Sequence, residues 1–582
     1  MTLIRVSMSD SPSVSSTRCW KALAALAILL AIARVTASYR HTSEAFDEPC
    51  HVSAGLELLD HHTYTLDPVH PPLSRLAIGL PLYLAGERYP RLTTEESAQP
   101  NYNVVGNHIL YDDGHYLRNL ILARVALLPF LLIASVLVFA WARREFGDVA
   151  AFISVLIFTT TPIVLALSSI AYSDLVTATT QCAALFAFTI WLDNRSWRST
   201  LLLGGAIGLA LMSKLTSFMF LPAAAAAIVA CRGMMTREPI AKTIACGWKQ
   251  LSAAAVIAII ALWSGYGFSV GRVQDGMGIS PQQMPSFQHF PAPVAKAARA
   301  MVLNDWFIPA PAFLRGVANA WVLNKTSPSA YLMGQSKPGG WWYFFLAGLI
   351  FKSPLPLLLL GAAGLYSVAI LGRAQKWSAL APAVCTLAIL IITMPVKYNA
   401  GLRHVLVVFP LIAIGAGCGG AFLWRMEGNQ RKWARSALVI LLLWQGFETI
   451  RAQSDFISYF NELAGRDPSQ VLVAGCDLDC GQDLFRLSDE LRSRQISQFN
   501  LAVWSSADVN RMGLPEFQIP QPYQPVTGWL AISARAQRLG EVLHERYPPN
   551  SFAWLQSYHP VAKVGHTIRL YYIPAKTASR QP

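Results

Sequence analysis

The hydrophobic residues of this chain fall in long runs that are separated by polar segments. About eleven runs of about 14 to 27 residues approach or reach the length at which a helix crosses a bilayer. They lie near 21–38, 117–142, 150–169, 173–192, 200–213, 216–231, 250–269, 341–369, 378–395, 403–424 and 436–450. The fifth and sixth runs are shorter than a usual span, so either could be part of a broken helix. The pattern predicts a polytopic α-helical membrane protein.

After the last long run, the apolar stretches shorten to strand length and alternate with amphipathic segments. The strand-like stretches are Val471 to Ala474, Phe499 to Trp504, Trp529 to Ile532 and Ile568 to Ile573. The amphipathic segments are Leu484 to Leu491 and Leu539 to Tyr547. This change of pattern predicts a membrane domain over residues 1–451 and a small α/β domain over residues 452–582.

The composition agrees with a bilayer environment, because 53% of the 582 residues are hydrophobic and only 14% are charged. A net charge of +14 could indicate a nucleic-acid partner. Most lysines and arginines, however, lie in short clusters beside the apolar runs, where basic residues set orientation. We therefore expect the chain to contact membrane lipid and to bind no nucleic acid.

The basic clusters occupy alternate loops, which predicts the orientation of the chain. They comprise Arg5, Arg18 and Lys21, then Arg143/Arg144, Arg195/Arg198, Arg232/Arg237/Lys242/Lys249, Arg373/Lys376 and Arg425/Arg431/Lys432/Arg435. These loops and the N-terminus are expected to be cytoplasmic, so residues 39–116, 270–340 and 452–582 are expected outside. A cleaved signal peptide ending near Val35-Thr36-Ala37 is an alternative for the first run.

The first outer loop carries adjacent carboxylates a few residues beyond the first span, at Asp47 and Glu48, and His51 follows. Near a bilayer surface such a carboxylate is partly desolvated and can act as a general base. A sugar-acceptor hydroxyl needs such a base when it displaces a phosphate leaving group. The alternative is structural: Asp47 caps a helix and Glu48 faces water.

These residues resemble the membrane glycosyltransferases of the GT-C superfamily, in particular its protein O-mannosyltransferase-like and aminoarabinose-transferase-like branch. The resemblance implies Asp47 as catalytic base and Glu48 as a supporting carboxylate. His70-Pro71-Pro72-Leu73 is similar to an element of that branch whose cationic residue is associated with the lipid phosphate. The branch has Lys or His there, and a neutral imidazole supplies a hydrogen bond where an ammonium supplies a permanent charge.

Further segments extend the resemblance through the membrane region. Ser173-Asp174 resembles a second acidic position of the catalytic cavity, and Ser213-Lys214-Leu215-Thr216 resembles a basic element. The segments Lys352-Ser-Pro-Leu-Pro and Lys397-Tyr-Asn-Ala-Gly-Leu-Arg403-His404 also resemble family segments. The resemblance implies donor-phosphate binding by His70, Lys214, Lys352, Lys397, Arg403 and His404, with His51 and Asp174 supporting the cavity. Helix capping by Asp174 and interfacial anchoring by the lysines remain alternatives.

The expected reaction is inverting transfer of a sugar from a polyprenyl-phosphate donor to an extracytoplasmic lipid, glycan or protein acceptor. The resemblance implies a multi-pass protein, expected in a bacterial inner membrane. Asp47, Glu48, His51 and Asp174 could assemble a divalent-metal site, but they follow no fixed ligand spacing, so we expect no metal and no cofactor. A flippase or transporter and a noncatalytic assembly protein are the rival classes. Cys476 and Cys480 are the one cysteine pair that could form a disulfide, and free thiols are the alternative.

Overall fold

The computed structural model describes residues 14–98, 100–273, 290–327, 329–371, 376–473, 475–543 and 545–575. Arg5 and Arg373, which contribute to the predicted orientation, lie outside these ranges, as do residues 274–289 of the second predicted outer loop. Ala474, the last residue of one predicted strand, also lies outside them.

The described residues form mostly helices up to Arg451 and a mixture of strands and short helices after it. The helices are α1 Val14–Ser38, α2 Glu48–Leu56, α3 Pro72–Leu84, α4 Thr94–Ala98, α5 Tyr102–Tyr111, α6 Tyr116–Val125, α7 Leu128–Phe146, α8 Asp148–Thr159, α9 Pro162–Ser169, α10 Ser173–Asp193, α11 Trp197–Ser213, α12 Ser217–Thr236, α13 Ile240–Gly265, α14 Ala292–Leu303, α15 Pro311–Lys325, α16 Phe344–Lys352, α17 Leu355–Leu371, α18 Ala381–Thr393, α19 Val408–Trp424, α20 Arg431–Arg451, α21 Leu484–Ser493 and α22 Ala534–Leu539. The strands are β1 Val270–Gly271, β2 Ile308–Pro309, β3 Ser329–Leu332, β4 Gln335–Pro338, β5 Gln498–Ala502, β6 Glu516–Gln518, β7 Gly528–Ser533, β8 Glu541–Val542, β9 Glu545–Arg546, β10 Ala562–Val564 and β11 Ile568–Ile573.

Within the described ranges, five helices are long and apolar enough to cross a membrane, or up to eight if each of three bent helix pairs is one span. The polytopic membrane fold predicted from the sequence is therefore confirmed. The figure of about eleven spans stays a prediction. Two predicted spans, 150–169 and 341–369, are broken helices, bent by 59° and 112°. Pro162 and Pro354 lie at these bends, and proline disfavours helical backbone in the residue before it.

Helix α19 lies at the centre of the membrane part and packs against α7, α8, α10, α17 and α18. Glycines permit its closest approaches: a Cβ added at Gly417 would lie 2.4 Å from the Ala150 carbonyl oxygen of α8. Small residues at such crossings let helices pack backbone to backbone. This packing brings the first turn before α19, which carries Arg403, against the N-terminal end of α10.

After Arg451 the chain forms a five-stranded mixed sheet in the order β10-β11-β7-β5-β6, which agrees with the predicted α/β character. Strand β5 pairs in parallel with β6 and β7, whereas β7, β11 and β10 pair antiparallel. One apolar cluster is continuous from the transmembrane helices to α21 and β5, and a second cluster covers Leu530 and Ile532 of β7. The sheet therefore packs onto the helical part through a shared core.

Two local predictions for this region were wrong. Val471 to Val473 forms no strand; Leu472 makes a single bridge with Leu332. The segment predicted as an amphipathic helix from Leu539 contains instead the hairpin strands β8 and β9, because α22 already ends at Leu539, where Gly540 adopts a positive φ of 67°. Glycine at this position is a common helix terminator.

Candidate active site

Asp47 and Arg403 lie together although 356 positions separate them in the chain. Arg403 Nη1 donates to Asp47 Oδ2 at 2.7 Å. Asp47 immediately precedes α2, but its side chain makes no capping hydrogen bond there. The carboxylate is thus held by a guanidinium and not by the helix end, which removes the capping alternative. Both side chains remain partly accessible, at 27% for Asp47 and 15% for Arg403.

Asp174 and Lys214 extend this pair into a four-residue cluster. Lys214 Nζ donates to Asp174 Oδ1, and Asp174 Oδ2 lies 3.8 Å from Arg403 Nη1. Asp174 is in the first turn of α10, and Lys214 directly follows the last residue of α11. Because these two helices run in opposite directions, their polar ends meet at one end of the helical part. Two carboxylates and two cations alternate there, so the cluster is balanced in charge.

Glu48 is the neighbour of Asp47 in sequence but faces away from this cluster. Its two carboxylate oxygens accept from Arg124 Nε at 2.8 Å and Arg124 Nη2 at 2.7 Å. They also accept from the backbone N–H groups of Ala45 and Ala171, each at 2.7 Å. Glu48 therefore joins α2 to α6 and to the turn before α10, and it is completely buried rather than facing water.

His51 and His70 lie beside the cluster, with ring centroids 5.3 Å apart. Burial, together with the nearby Arg75 guanidinium, holds the pKa of His51 well below its usual range. His70 Nδ1 lies 3.0 Å from Asp67 Oδ2, and the same oxygen accepts from Arg75 Nη2 at 2.5 Å. Burial opposes ionisation of Asp67, but Arg75 and His70 overcome it and hold the pKa of Asp67 well below its usual range.

The remaining predicted phosphate ligands are spread more widely. Lys352 is buried and donates to the carbonyl oxygens of Asp477 and, at 2.7 Å, Ile457. Lys397 is exposed, six positions before Arg403. The His404 ring stacks edge-on with Tyr398 at 5.7 Å and lies within electrostatic reach of Lys214 and Arg403. The fold thus brings Asp47, Asp174, Lys214 and Arg403 into contact, with His404 beside them, and it gives Lys352 backbone partners instead.

Two cavities adjoin the cluster. A polar cavity of about 220 Å³ is bordered by Asp47 and Arg403 on one side and by Trp504, Arg535, Glu541 and Arg546 of the C-terminal part on the other. An apolar cavity of about 690 Å³ lies among α10, α11, α12 and α13 and extends from Ser217, close to Lys214, to Trp191. The charged cluster therefore lies near both a polar and an apolar compartment.

In the part of the chain that the structure describes, no group of three or more His, Cys, Asp and Glu side chains is arranged to hold a metal ion. The expectation of a reaction without metal stays a prediction.

Sequence reasoning missed several residues of the site. Arg124 is a charged residue well inside the predicted span 117–142, and a buried charge among apolar residues is a signal for a specific partner. Tyr172, whose ring lies 5.0 Å from the Arg403 guanidinium, carries no such signal. The same is true of Trp504, Arg535 and Arg546, whose proximity to Asp47 depends on how the C-terminal sheet packs.

Comparison with known proteins gives a family match and a fold match. Residues 120–264 match the family model described as dolichyl-phosphate-mannose-protein mannosyltransferase. No curated protein sequence matches the chain. The fold resembles the oligosaccharyltransferase AglB from Archaeoglobus fulgidus, solved with an inhibitory peptide and a dolichol-phosphate, with a TM-score of 0.50 and 11% identity, covering 98% of this chain and 75% of that one. ArnT from Cupriavidus metallidurans, solved with undecaprenyl phosphate, gives a TM-score of 0.46 and 12% identity, covering 95% and 98%.

The likeness to AglB shows the fold alone, and the family match is independent of it. The family match over residues 120–264 agrees with the sequence-based resemblance to GT-C glycosyltransferases, and the likeness to AglB agrees with the predicted fold.

Proposed function

We propose that this chain transfers a sugar from a polyprenyl-phosphate donor to an acceptor on the extracytoplasmic side of a bacterial inner membrane. The observation that carries the proposal is the contact of Asp47 with Arg403 at the border of the polar cavity. One carboxylate that accepts a proton and one guanidinium that binds phosphate are the two groups that such a transfer requires. The structures of ArnT with undecaprenyl phosphate and of AglB with dolichol-phosphate agree with a donor of this class.

The two cavities fit the two ends of such a donor. The isoprenoid chain would lie in the apolar cavity among α10 to α13, whose walls are almost entirely hydrocarbon. The phosphate would meet Lys214 and Arg403 at the end of α11 and the turn before α19. The sugar would then extend into the polar cavity, whose volume of about 220 Å³ is below the range of drug-sized sites and suits a small polar group.

The proposed reaction is a single displacement with inversion at the anomeric carbon. Asp47 takes the proton of the acceptor hydroxyl as its oxygen attacks that carbon. The bond from the carbon to the phosphate oxygen breaks, and the electron pair leaves with the polyprenyl phosphate. Arg403 and Lys214 stabilise the charge that develops on the leaving phosphate, because fixed cations cost no reorganisation during the reaction. Glu48 holds the turn before α2 through the Ala45 N–H and pairs with Arg124, and it does not touch the reacting atoms.

The experiment is label transfer by purified protein from a radiolabelled polyprenyl-phosphate sugar, with Asp47→Asn as the variant. Glu95→Gln is the matched control, since Glu95 is an exposed carboxylate on α4 of the same loop. We expect the asparagine variant to lose transfer by at least about 100-fold, and the control to equal the unmodified protein. Undiminished transfer by the asparagine variant would exclude Asp47 as the base. A flippase would move the donor across vesicles without forming product.

A further inference from the structure

One loop, residues 475–482, contacts both chain segments that meet in the active site. On the side of Arg403, the buried Asp477 carboxylate accepts from the Leu402 backbone N–H at 3.0 Å through Oδ1 and at 3.2 Å through Oδ2. Gly401 has a positive φ of 102°, and a Cβ added there would overlap the Gly475 carbonyl oxygen. The loop therefore fixes the backbone that immediately precedes Arg403.

The other side of the loop contacts the segment that carries Asp47. The Phe46 N–H donates to the Cys480 carbonyl oxygen at 3.0 Å, and the Ser43 N–H donates to the Gln482 carbonyl oxygen at 3.0 Å. Ser43 Oγ also donates to the Gly481 carbonyl oxygen at 2.9 Å. These bonds tie down the four residues before Asp47.

A disulfide between Cys476 and Cys480, the one pair that the sequence left open for a bridge, closes the loop. Its sulfurs lie 3.3 Å and 3.1 Å from the hydroxyl of Tyr172. That hydroxyl in turn accepts from the Asp47 backbone N–H at 2.8 Å. Tyr172 thus connects the disulfide to the backbone of the proposed base.

The loop is itself anchored on both flanks. Lys352 donates to the Asp477 carbonyl oxygen, and the Asp479 carboxylate accepts from the Arg535 N–H at 2.9 Å. Burial raises the pKa of Asp477, while the Lys352 ammonium and the Leu402 N–H oppose this rise and favour the carboxylate. A loop held by these contacts can fix the positions of the two segments that pack on it.

We propose that the disulfide-closed 475–482 loop is a positioning element that sets Asp47 against Arg403, so that sugar transfer depends on the oxidised state of Cys476 and Cys480. This inference rests on the proposed function for its effect on transfer. Reduction by a phosphine breaks the S–S bond, forms two thiols with protons from water and oxidises the phosphine. The freed sulfurs no longer fix the Tyr172 hydroxyl, and the loop loses its closure.

The first test is amide hydrogen exchange of the purified full-length protein with and without a phosphine reductant. Reduction should speed exchange in the peptides covering 43–48 and 400–404, whereas peptides covering β7 and β11 should be unchanged. The Cys476→Ser/Cys480→Ser variant should exchange like the reduced protein in the absence of reductant. The Cys19→Ser/Cys246→Ser variant, which removes two exposed cysteines elsewhere, should respond like the unmodified protein. Equal exchange of both peptides before and after reduction would overturn the proposal.

The second test is label transfer, expressed per molecule that binds polyprenyl phosphate. Reduction should lower kcat by about 10- to 100-fold, since displacement of a reacting group by about 1 Å has an effect of this size. Reoxidation should restore the rate, and the Cys476→Ser/Cys480→Ser variant should not respond to the reductant. A rate unaffected by reduction would refute the positioning role. Should the oxidised protein transfer no label at all, the proposed function fails, and hydrogen exchange still decides whether the loop holds the two segments.

Discussion

Glu48 and Arg124 form an ion pair in which neither side chain is accessible to solvent, and Arg124 Nη2 lies 2.7 Å from Glu48 Oε2. Asp47, the residue before Glu48, takes part in a different ion pair, with Arg403, at the border of the polar cavity. Two adjacent acidic residues therefore differ in environment, and a different effect is expected when each is changed.

Glu48→Gln should destabilise the protein, because it leaves the Arg124 charge buried without its counter-charge. Breaking one side of a buried pair typically costs about 3–5 kcal/mol. The thermal unfolding midpoint in detergent should fall clearly below that of the Glu95→Gln control. An unchanged midpoint accompanied by loss of transfer would instead assign Glu48 a direct part in the reaction.

Tyr172→Phe should lower the rate of transfer while keeping the aromatic ring beside Arg403. The change removes the hydroxyl that accepts from the Asp47 N–H, and an unsatisfied buried donor costs about 1–3 kcal/mol. We expect kcat to fall about tenfold, with a smaller change in the KM for the donor. Tyr572→Phe, at an exposed position of β11, is the control. Equal kcat values for the two variants would argue against a role of the Tyr172 hydroxyl.

Arg403→Lys should reduce kcat/KM for the donor by about 10- to 100-fold, since an ammonium cannot bind a carboxylate and a phosphate in the fork geometry of a guanidinium. Steady-state kinetics with a series of donor concentrations measure this loss. Arg425→Lys, just beyond the other end of α19, should have no such effect. Activity retained by the Arg403 variant would indicate that Lys214 alone neutralises the leaving phosphate.

Glu44 should make stability depend on pH. Burial and the neighbouring Glu48 charge raise the pKa of Glu44 to about 8 from an ordinary value of 4.5, so the folded protein binds this proton more tightly than the unfolded chain does. The stabilisation of the folded protein by this bound proton is fully present below pH 4.5, and it is lost as the pH rises through about 8. Between pH 5 and 8.5 the unfolding midpoint should decrease more for the unmodified protein than for Glu44→Gln. Parallel pH profiles of the two proteins would contradict this assignment.

Ala225→Trp should weaken binding of the donor by filling the apolar cavity. Exclusion of even a few methylene groups, at about 0.8 kcal/mol each, corresponds to a loss of about 10- to 100-fold in affinity. Binding of radiolabelled polyprenyl phosphate measures it directly. Ala245→Trp, at an exposed position of α13, is the matched control. Equal binding by both variants would place the isoprenoid chain elsewhere.

The sequence alone determined the class of fold, because membrane helices are recognised from local hydropathy. The amphipathic segment from Leu484 became α21, and the apolar stretches near Leu530 and Leu570 became central strands of the sheet. The segment from Leu539 was misassigned, since Gly540 ends the helix and the residues after it pair as a short hairpin, Glu541 with Arg546 and Val542 with Glu545. The amphipathic pattern alone does not mark this helix end, whereas Gly540, a common helix terminator, does.

For the site, the sequence provided the residue types and the order Asp47, Asp174, Lys214 and Arg403, and the resemblance indicated their chemistry. The tertiary structure decided which charged residues are partners. Arg403 pairs with Asp47, Arg124 pairs with Glu48, and Lys352 binds the 475–482 loop. The physical reason is that an ion pair depends on distance in space, which the packing of α10, α11 and α19 sets. Hydropathy and short motifs report only on neighbours along the chain, so they identified the charged residues and left their pairing to the fold.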